Sequence, residues 1–204
     1  MSFNAKHYDK IYNDRSKEVN FLLKHLKGKT VLDVGGGTGA VSDALNKKGF
    51  ICVNTEPQKS MVKISRRKGV ITNCSTIEDD GCMLYELRKF DNAIMMFDVF
   101  NFIKKPKEAL QNIAEGLNGR LIFSYWKEHI RKEGWEFNWK LKRLSHKKWN
   151  INKVQIDFWF PFYHERHNLN VYNQYYVYKL LKEAGYKIIE EIEEDYTRTI
   201  IAEI

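Results

Sequence analysis

The stretch "VLDVGGGTGAV", Val31 to Val41, sets an acid ahead of a run of glycines. Glycine lets a backbone turn sharply and come close to a ligand, and a helix that starts after such a turn offers free N–H groups. The dinucleotide spacing G-x-G-x-x-G/A is met by Gly35, Gly37 and Ala40. The spacing D-x-G-x-G-x-G is met by Asp33, Gly35, Gly37 and Gly39, with Gly36 inside it. A carboxylate two residues before the first glycine repels a diphosphate and attracts an ammonium group. The acid therefore favours a ligand with a positively charged amino end.

Two further places carry reactive groups. Asp98 lies just past a long apolar run, "FDNAIMMF". His164 and His167 are three apart, a spacing that shares a metal on a helix but splits across the two faces of a strand. The residues before them alternate: Val154, Ile156, Phe158, Phe160 and Phe162 line one face of a long strand, "VQIDFWFPFYHERHNL". Tyr163, Glu165 and His167 are then expected on the other face, no metal is expected, and Pro161 predicts a bulge. A histidine on a pocket wall serves as a base or as a hydrogen-bonding group for substrate. Cys52, Cys74 and Cys82 form neither a disulfide framework nor a metal-ligand spacing.

The elements that must position these groups follow an alternating rhythm. Short apolar runs, read as strands, fall at 30–34, 50–55, 70–74, 90–97 and 119–126. Amphipathic stretches near 16–26, 40–48, 58–67, 82–88 and 106–117 sit around and between them, with Pro106 in a helix first turn. Continuous apolar strands separated by helices predict an α/β fold, a doubly wound and mostly parallel sheet that binds ligands beyond the carboxyl ends of its strands. A helix near 172–184 ends at Gly185, and the closing strands "YKIIEEIEE" and "TRTIIAEI" must run antiparallel because only a short turn joins them.

Composition narrows the class. The chain has 204 residues, 43% hydrophobic and 29% charged, which predicts one globular unit spanning 1–204. No apolar run reaches the roughly 20 residues of a membrane helix, and the polar start is unlike a secretory signal, so a cytoplasmic protein is expected. The net charge is +8. Five of those charges fall in 126–150, "WKEHIRKEGWEFNWKLKRLSHKKWN", which also holds four of the five tryptophans. There Trp135, Trp139 and Arg143 recur at helical spacing. The segment reads either as a helix packing its tryptophan face on the core or as a cap for an anionic or aromatic substrate.

These residues together resemble the class I S-adenosylmethionine-dependent methyltransferases, in the branch that acts on small molecules. "VLDVGGGTG" is similar to the first motif of that family. "EPQKSMV" is similar to its acid–x–x–x–x–Met run, which implies that Glu56 holds the ribose hydroxyls. "TNCSTI" stands where the family has Gly-Asp-Ala, which implies that Asn73 and Cys74 contact adenine, with Asn in place of the usual Asp. "FDNAIMMFDVFNFI" resembles the fourth strand and its loop, which implies Phe97 near the methionine part. "YDKIYNDRSKEVNFLLKHL" resembles the lid helices, placing Tyr8 or Tyr12 over the ligand, although both also read as packing residues. "ERHNLNVY" resembles a recurring strand of the family, with Asn170 where Arg is usual.

The resemblance implies a seven-stranded sheet in the order 3-2-1-4-5-7-6, lid helices within 1–28 and an acceptor-side insertion at 126–170. The implied cofactor is S-adenosylmethionine, held by Asp33, Gly35, Gly36, Gly37, Gly39, Glu56, Asn73, Cys74, Phe97 and Tyr12. The candidate catalytic groups are His167 and Asp98. No Asn/Asp-Pro-Pro-Tyr run and no Pro-Cys pair follow strand four, so a small molecule methylated on nitrogen or oxygen is the expected acceptor. Three alternatives stand beside it: an RNA methyltransferase using 126–150, an NAD(P)-dependent oxidoreductase, and a nucleoside-binding domain without catalysis.

Overall fold

The computed structural model describes residues 5–11, 14–78, 89–127, 137–139, 142–150, 153–160, 163–194 and 197–204. The helix expected at 82–88, Cys82, Tyr12, Trp135 and Pro161 lie outside them. Two short N-terminal helices, α1 (Ala5–Ile11) and α2 (Ser16–His25), precede the first strand. The chain then alternates through β1 (Thr30–Val34), α3 (Ala40–Asn46), β2 (Ile51–Thr55), α4 (Lys59–Arg67) and β3 (Ile71–Asn73). Next come β4 (Phe90–Met95), α5 (Val99–Phe102), α6 (Pro106–Glu115) and β5 (Leu117–Trp126). Near the C-terminus lie α7 (Gln174–Glu183), β10 (Lys187–Glu193) and β11 (Thr197–Glu203).

These strands form a seven-stranded sheet in the order β3-β2-β1-β4-β5-β11-β10. Counted along this sheet alone, the order is 3-2-1-4-5-7-6, as the resemblance implies. β1 to β5 run parallel, and β11 joins β5 antiparallel. Alternate residues supply two separate cores, as the strand period of two requires. Leu32, Ala93, Met95, Leu121, Phe123 and Ile200 pack with Leu110, Ile113, Val177 and Leu181 from α6 and α7. Val31, Ile94, Ile122 and Ile201 face the other way, against Val19 and Leu22 of α2 and Leu45 of α3. Burying each of these large side chains is worth about 1.5–3 kcal/mol.

The 126–170 region differs from the expected helix and long strand. Its described residues form a second, antiparallel sheet in the order β6 (Phe137–Trp139), β7 (Lys142–Asn150), β8 (Lys153–Phe160) and β9 (Tyr163–Asn170). Trp139 pairs with Lys142, Asn150 with Lys153, and Phe160 with Tyr163, so two residues separate each pair of neighbouring strands. Trp139 and Arg143 therefore belong to different strands, not to one helical stripe. The long ladders with neighbouring strands override a three-residue hint of helical period.

The expected single strand across Pro161 is a hairpin. A proline, which cannot donate to a ladder, falls between its strands. The register sets Ile156 opposite His167, Phe158 opposite Glu165 and Phe160 opposite Tyr163. Directly opposed residues share a face. Tyr163, Glu165 and His167 thus lie on the same face as the apolar positions, not on the opposite one.

Where β5 enters the sheet, its register against β4 shifts between Phe90 and Asn92, and Gly119 sits in that bulge. A Cβ at Gly119 would lie 2.3 Å from the Asp91 carbonyl oxygen, a backbone atom with nowhere to move. We expect Gly119→Ala to lower the urea midpoint with an unchanged m-value, a cost of about 1–3 kcal/mol.

Candidate active site

β1 ends in a turn whose glycines adopt left-handed backbone, with φ of +67° at Gly35, +56° at Gly37 and +71° at Gly39. The amides of this turn are already engaged. Gly35 N–H donates to the Thr55 carbonyl at 2.7 Å, Gly36 N–H to Asn54 Oδ1 at 3.0 Å, and Gly37 N–H to Glu56 Oε2 at 3.1 Å. All three acceptors belong to the end of β2, so these amides are not aimed at a phosphate.

Two carboxylates flank the turn. Asp33 is fully buried and accepts a 2.6 Å hydrogen bond from Ser42 Oγ. Burial pushes its carboxyl up to about 6, against the opposing pull of the Ser42 bond. Glu56, 8% exposed, accepts from Gly37 N–H and from Gln58 N–H at 2.8 Å. Burial raises its pKa as well, with the two amide bonds acting the other way.

Around these groups opens a cavity of about 570 Å³, within the range of small-molecule sites. Its wall runs from the glycine turn and Glu56 through Ser75, Thr76 and Ile77 to Phe97, Val99 and Phe102. Tyr8 of α1 and Arg15 at the start of α2 close one side. The Arg15 guanidinium lies 4.0 Å from the Phe97 ring centroid, a cation–π contact, and it hydrogen-bonds Tyr8. Phe97 and Asp98 both hold left-handed backbone without being glycine, at φ of 56° and 59°. Such strain persists only where surrounding contacts enforce it. Here Asp98 N–H donates to Ser124 Oγ at 3.2 Å, and the Asp98 carboxylate accepts from Ser124 Oγ and from the Trp126 indole N–H. Burial pushes the Asp98 carboxyl up to about 6.

Of the expected site residues, Tyr12 lies outside the described residues, and the others divide into two groups. Asp33, Gly35, Gly36, Gly37, Glu56 and Phe97 line the cavity together. Gly39, Asn73, Cys74, Asp98 and His167 do not. Gly39 packs against Ser65, where a Cβ would lie 2.2 Å from Oγ. Asn73 turns its side chain to Ser75, Cys74 is exposed, and the wall at that corner is Ser75 to Glu78. Asp98 does not act as a loop cap for α5, because its carboxylate points to Ser124 and Trp126 instead. His167 is buried behind the wall, its ring edge-on to Phe102 at 6.0 Å. Sequence reasoning missed Arg15 and Asn54. A lone arginine in a polar helix start carries no signal, and Asn54 looks like any polar residue in a strand.

Fold and site together define a class: the chain belongs to the methyltransferase domain family, whose pattern matches residues 6–191. A ubiquinone biosynthesis O-methyltransferase of Coxiella burnetii is 29% identical over 107 residues, 48% of this chain and 44% of that protein. The chain therefore matches less than half the length of the curated relatives. An S-adenosylmethionine-dependent methyltransferase from Clostridium acetobutylicum superposes with a TM-score of 0.77 at 18% identity, covering 98% of this chain and 97% of that one. An amino pentose methyltransferase from Micromonospora echinaspora, solved with S-adenosylmethionine bound, gives a TM-score of 0.78 at 15% identity, covering 100% and 98%. At these identities the structural likeness establishes the fold. Among the described residues no helix is long and apolar enough to cross a membrane.

The Asp33 carboxyl has a folded pKa of about 6 against an ordinary value of 3.8. The folded state thus binds the proton more tightly, and stability falls as pH rises from 3.8 through 6. Asp33→Asn keeps an acceptor for Ser42 and removes the buried charge. We expect the variant to exceed the wild type in chemical-denaturation stability at pH 8 by roughly 1–3 kcal/mol, with the gain gone below about pH 4.

Proposed function

We propose that the chain transfers the methyl group of S-adenosylmethionine to a nitrogen or oxygen of a small-molecule acceptor. The observation that carries this reading is Glu56, a buried carboxylate at the end of β2 whose two oxygens each take one backbone N–H beside a cavity of about 570 Å³. A carboxylate offers about four acceptor positions, so capacity remains for a pair of hydroxyls. The glycine turn supports the same choice. Its Gly35, Gly36 and Gly37 amides are satisfied by β2, which suits a nucleoside against the turn better than the diphosphate of a nicotinamide dinucleotide.

The residues present fit this cofactor. Glu56 would hold the ribose hydroxyls, Ser75 to Ile77 would flank the base, and Asp33 would sit at the ammonium end. Arg15 would meet the carboxylate and Tyr8 would cover the site. The bound cofactor supplies a methyl group made electrophilic by its sulfonium. The protein aligns the acceptor and excludes water, work that suits a walled and capped cavity. Phe97, Val99 and Phe102 form the apolar wall there. Asp98 and His167 take positioning roles. Asp98 orients Trp126 at the end of β5, and His167 backs Phe102. The antiparallel sheet β6 to β9 forms the acceptor side. The fold likeness to an amino pentose methyltransferase supports a compact acceptor such as a sugar amine or hydroxyl.

Calorimetric titration tests the reading. S-adenosylmethionine and S-adenosylhomocysteine should bind in the micromolar range, NAD should not, and Glu56→Gln should weaken the first two at least about tenfold, the worth of one bond to a charged group. Preference for NAD, or no binding of either sulfur nucleoside, overturns it.

A further inference from the structure

Helix α1 has seven residues, too few to persist on its own in water, so contacts outside the helix must hold it in place. One of its side chains makes two such contacts at once. Asp9 Oδ1 accepts from the Thr38 hydroxyl, and Asp9 Oδ2 pairs with Lys68 Nζ at 2.7 Å. Thr38 is wholly buried between Gly37 and Gly39, in the turn that floors the cavity. Lys68 caps the C-terminus of α4, the helix whose Met61 lines the same cavity. The residue before Asp9 is Tyr8, which lines the cavity from α1 and approaches the position of a Gly37 Cβ to 3.9 Å. A single carboxylate thus ties the covering helix to the floor beneath it and to the helix beside it.

We propose that Asp9 is a latch, a positioning residue that holds α1 closed over the cofactor cavity and sets the rate at which ligand leaves. The proposal rests on the cofactor reading given above, but half of its test needs no ligand. Thr38 is buried, while the Lys68 pair is partly exposed. Salt should therefore loosen only the second.

The test measures backbone hydrogen exchange of residues 5–11 in the ligand-free chain, and S-adenosylhomocysteine release by stopped flow. Variants are Asp9→Ala, Asp9→Asn and Lys68→Met. In Asp9→Ala, exchange at 5–11 and ligand release should each rise about tenfold, the weight of one charge-assisted bond, with the association rate changed little. Protection in β1 and β5 should stay at the wild-type level. Asp9→Asn and Lys68→Met should each give an intermediate rise, as should the wild type in high salt. Unchanged exchange at 5–11, or faster exchange with unchanged release, overturns the latch. So does exchange that rises equally in β1 and β5, which marks a general loss of stability. If the wild type binds no S-adenosylhomocysteine, the cofactor reading fails. The latch then stands or falls on the exchange at 5–11 alone.

Discussion

Gly36 has no room for a side chain. A Cβ there would sit 2.5 Å from Asp33 Oδ2 and 2.6 Å from Asn54 Oδ1. The end of β1, the end of β2 and the turn between β1 and α3 are therefore closed on one another as a single unit. Asn54, fully buried, extends that unit by donating to the Gly37 carbonyl and to Ser65 Oγ, and Ser65 in turn shares a hydrogen bond with Thr72 of β3. One connected set of polar groups runs from the turn after β1 through β2 and α4 to β3. Every member is satisfied by another, which is what makes a buried polar network rigid. The floor of the cavity inherits that rigidity. The Gly37 amide can reach Glu56 because the rest of the turn is already pinned.

The same closeness has an electrostatic cost. Asp33 and Glu56 are both desolvated, burial is the larger cause of the raised proton affinity of each, and the Glu56 charge adds to it at Asp33. Arg15 relieves some of this at Asp33. Two desolvated carboxyls beside one cavity cost stability that the fold alone does not require, the usual trade between stability and function.

Much of this was legible in advance, and the reasons differ by element. The strands of the main sheet are continuous apolar runs because helices cover both faces, and that pattern survives without any knowledge of partners. The glycine turn and Glu56 are legible because a backbone turn and a charge at a strand end have few other uses. The sheet of β6 to β9 was not legible. Its strands are set by pairing with one another, and the spacing of Trp135, Trp139 and Arg143 imitated a helix over too few residues to arbitrate. Placing Tyr163, Glu165 and His167 on the wrong face followed from missing one reversal between Phe160 and Tyr163, since antiparallel pairing returns opposed residues to a common face. Arg15 and Asn54 escaped for a different reason. Their roles come from burial, which a sequence position does not display. Asn73 and Cys74 match a motif by position, and their side chains bond to Ser75 and to the Pro57 carbonyl, two groups of the cavity wall.

A bridge between Lys127 and Tyr172 joins the points where the chain leaves β5 and returns before α7. The forty-four intervening residues, 128 to 171, therefore begin and end side by side. Seen as a thread, that stretch leaves and rejoins the main sheet through one narrow neck, and its last residues are held there: Asn170 donates to the Ile103 carbonyl, and its own carbonyl accepts from Asn101. Its neck opens beside Trp126 and Asp98, so an exchange there alters the outer wall while Gly36, Asn54 and Glu56 stay where they are. The two lie apart in the sheet: the neck sits at the end of β5, while the pinned glycine turn is tied to β2, beyond β4 and β1.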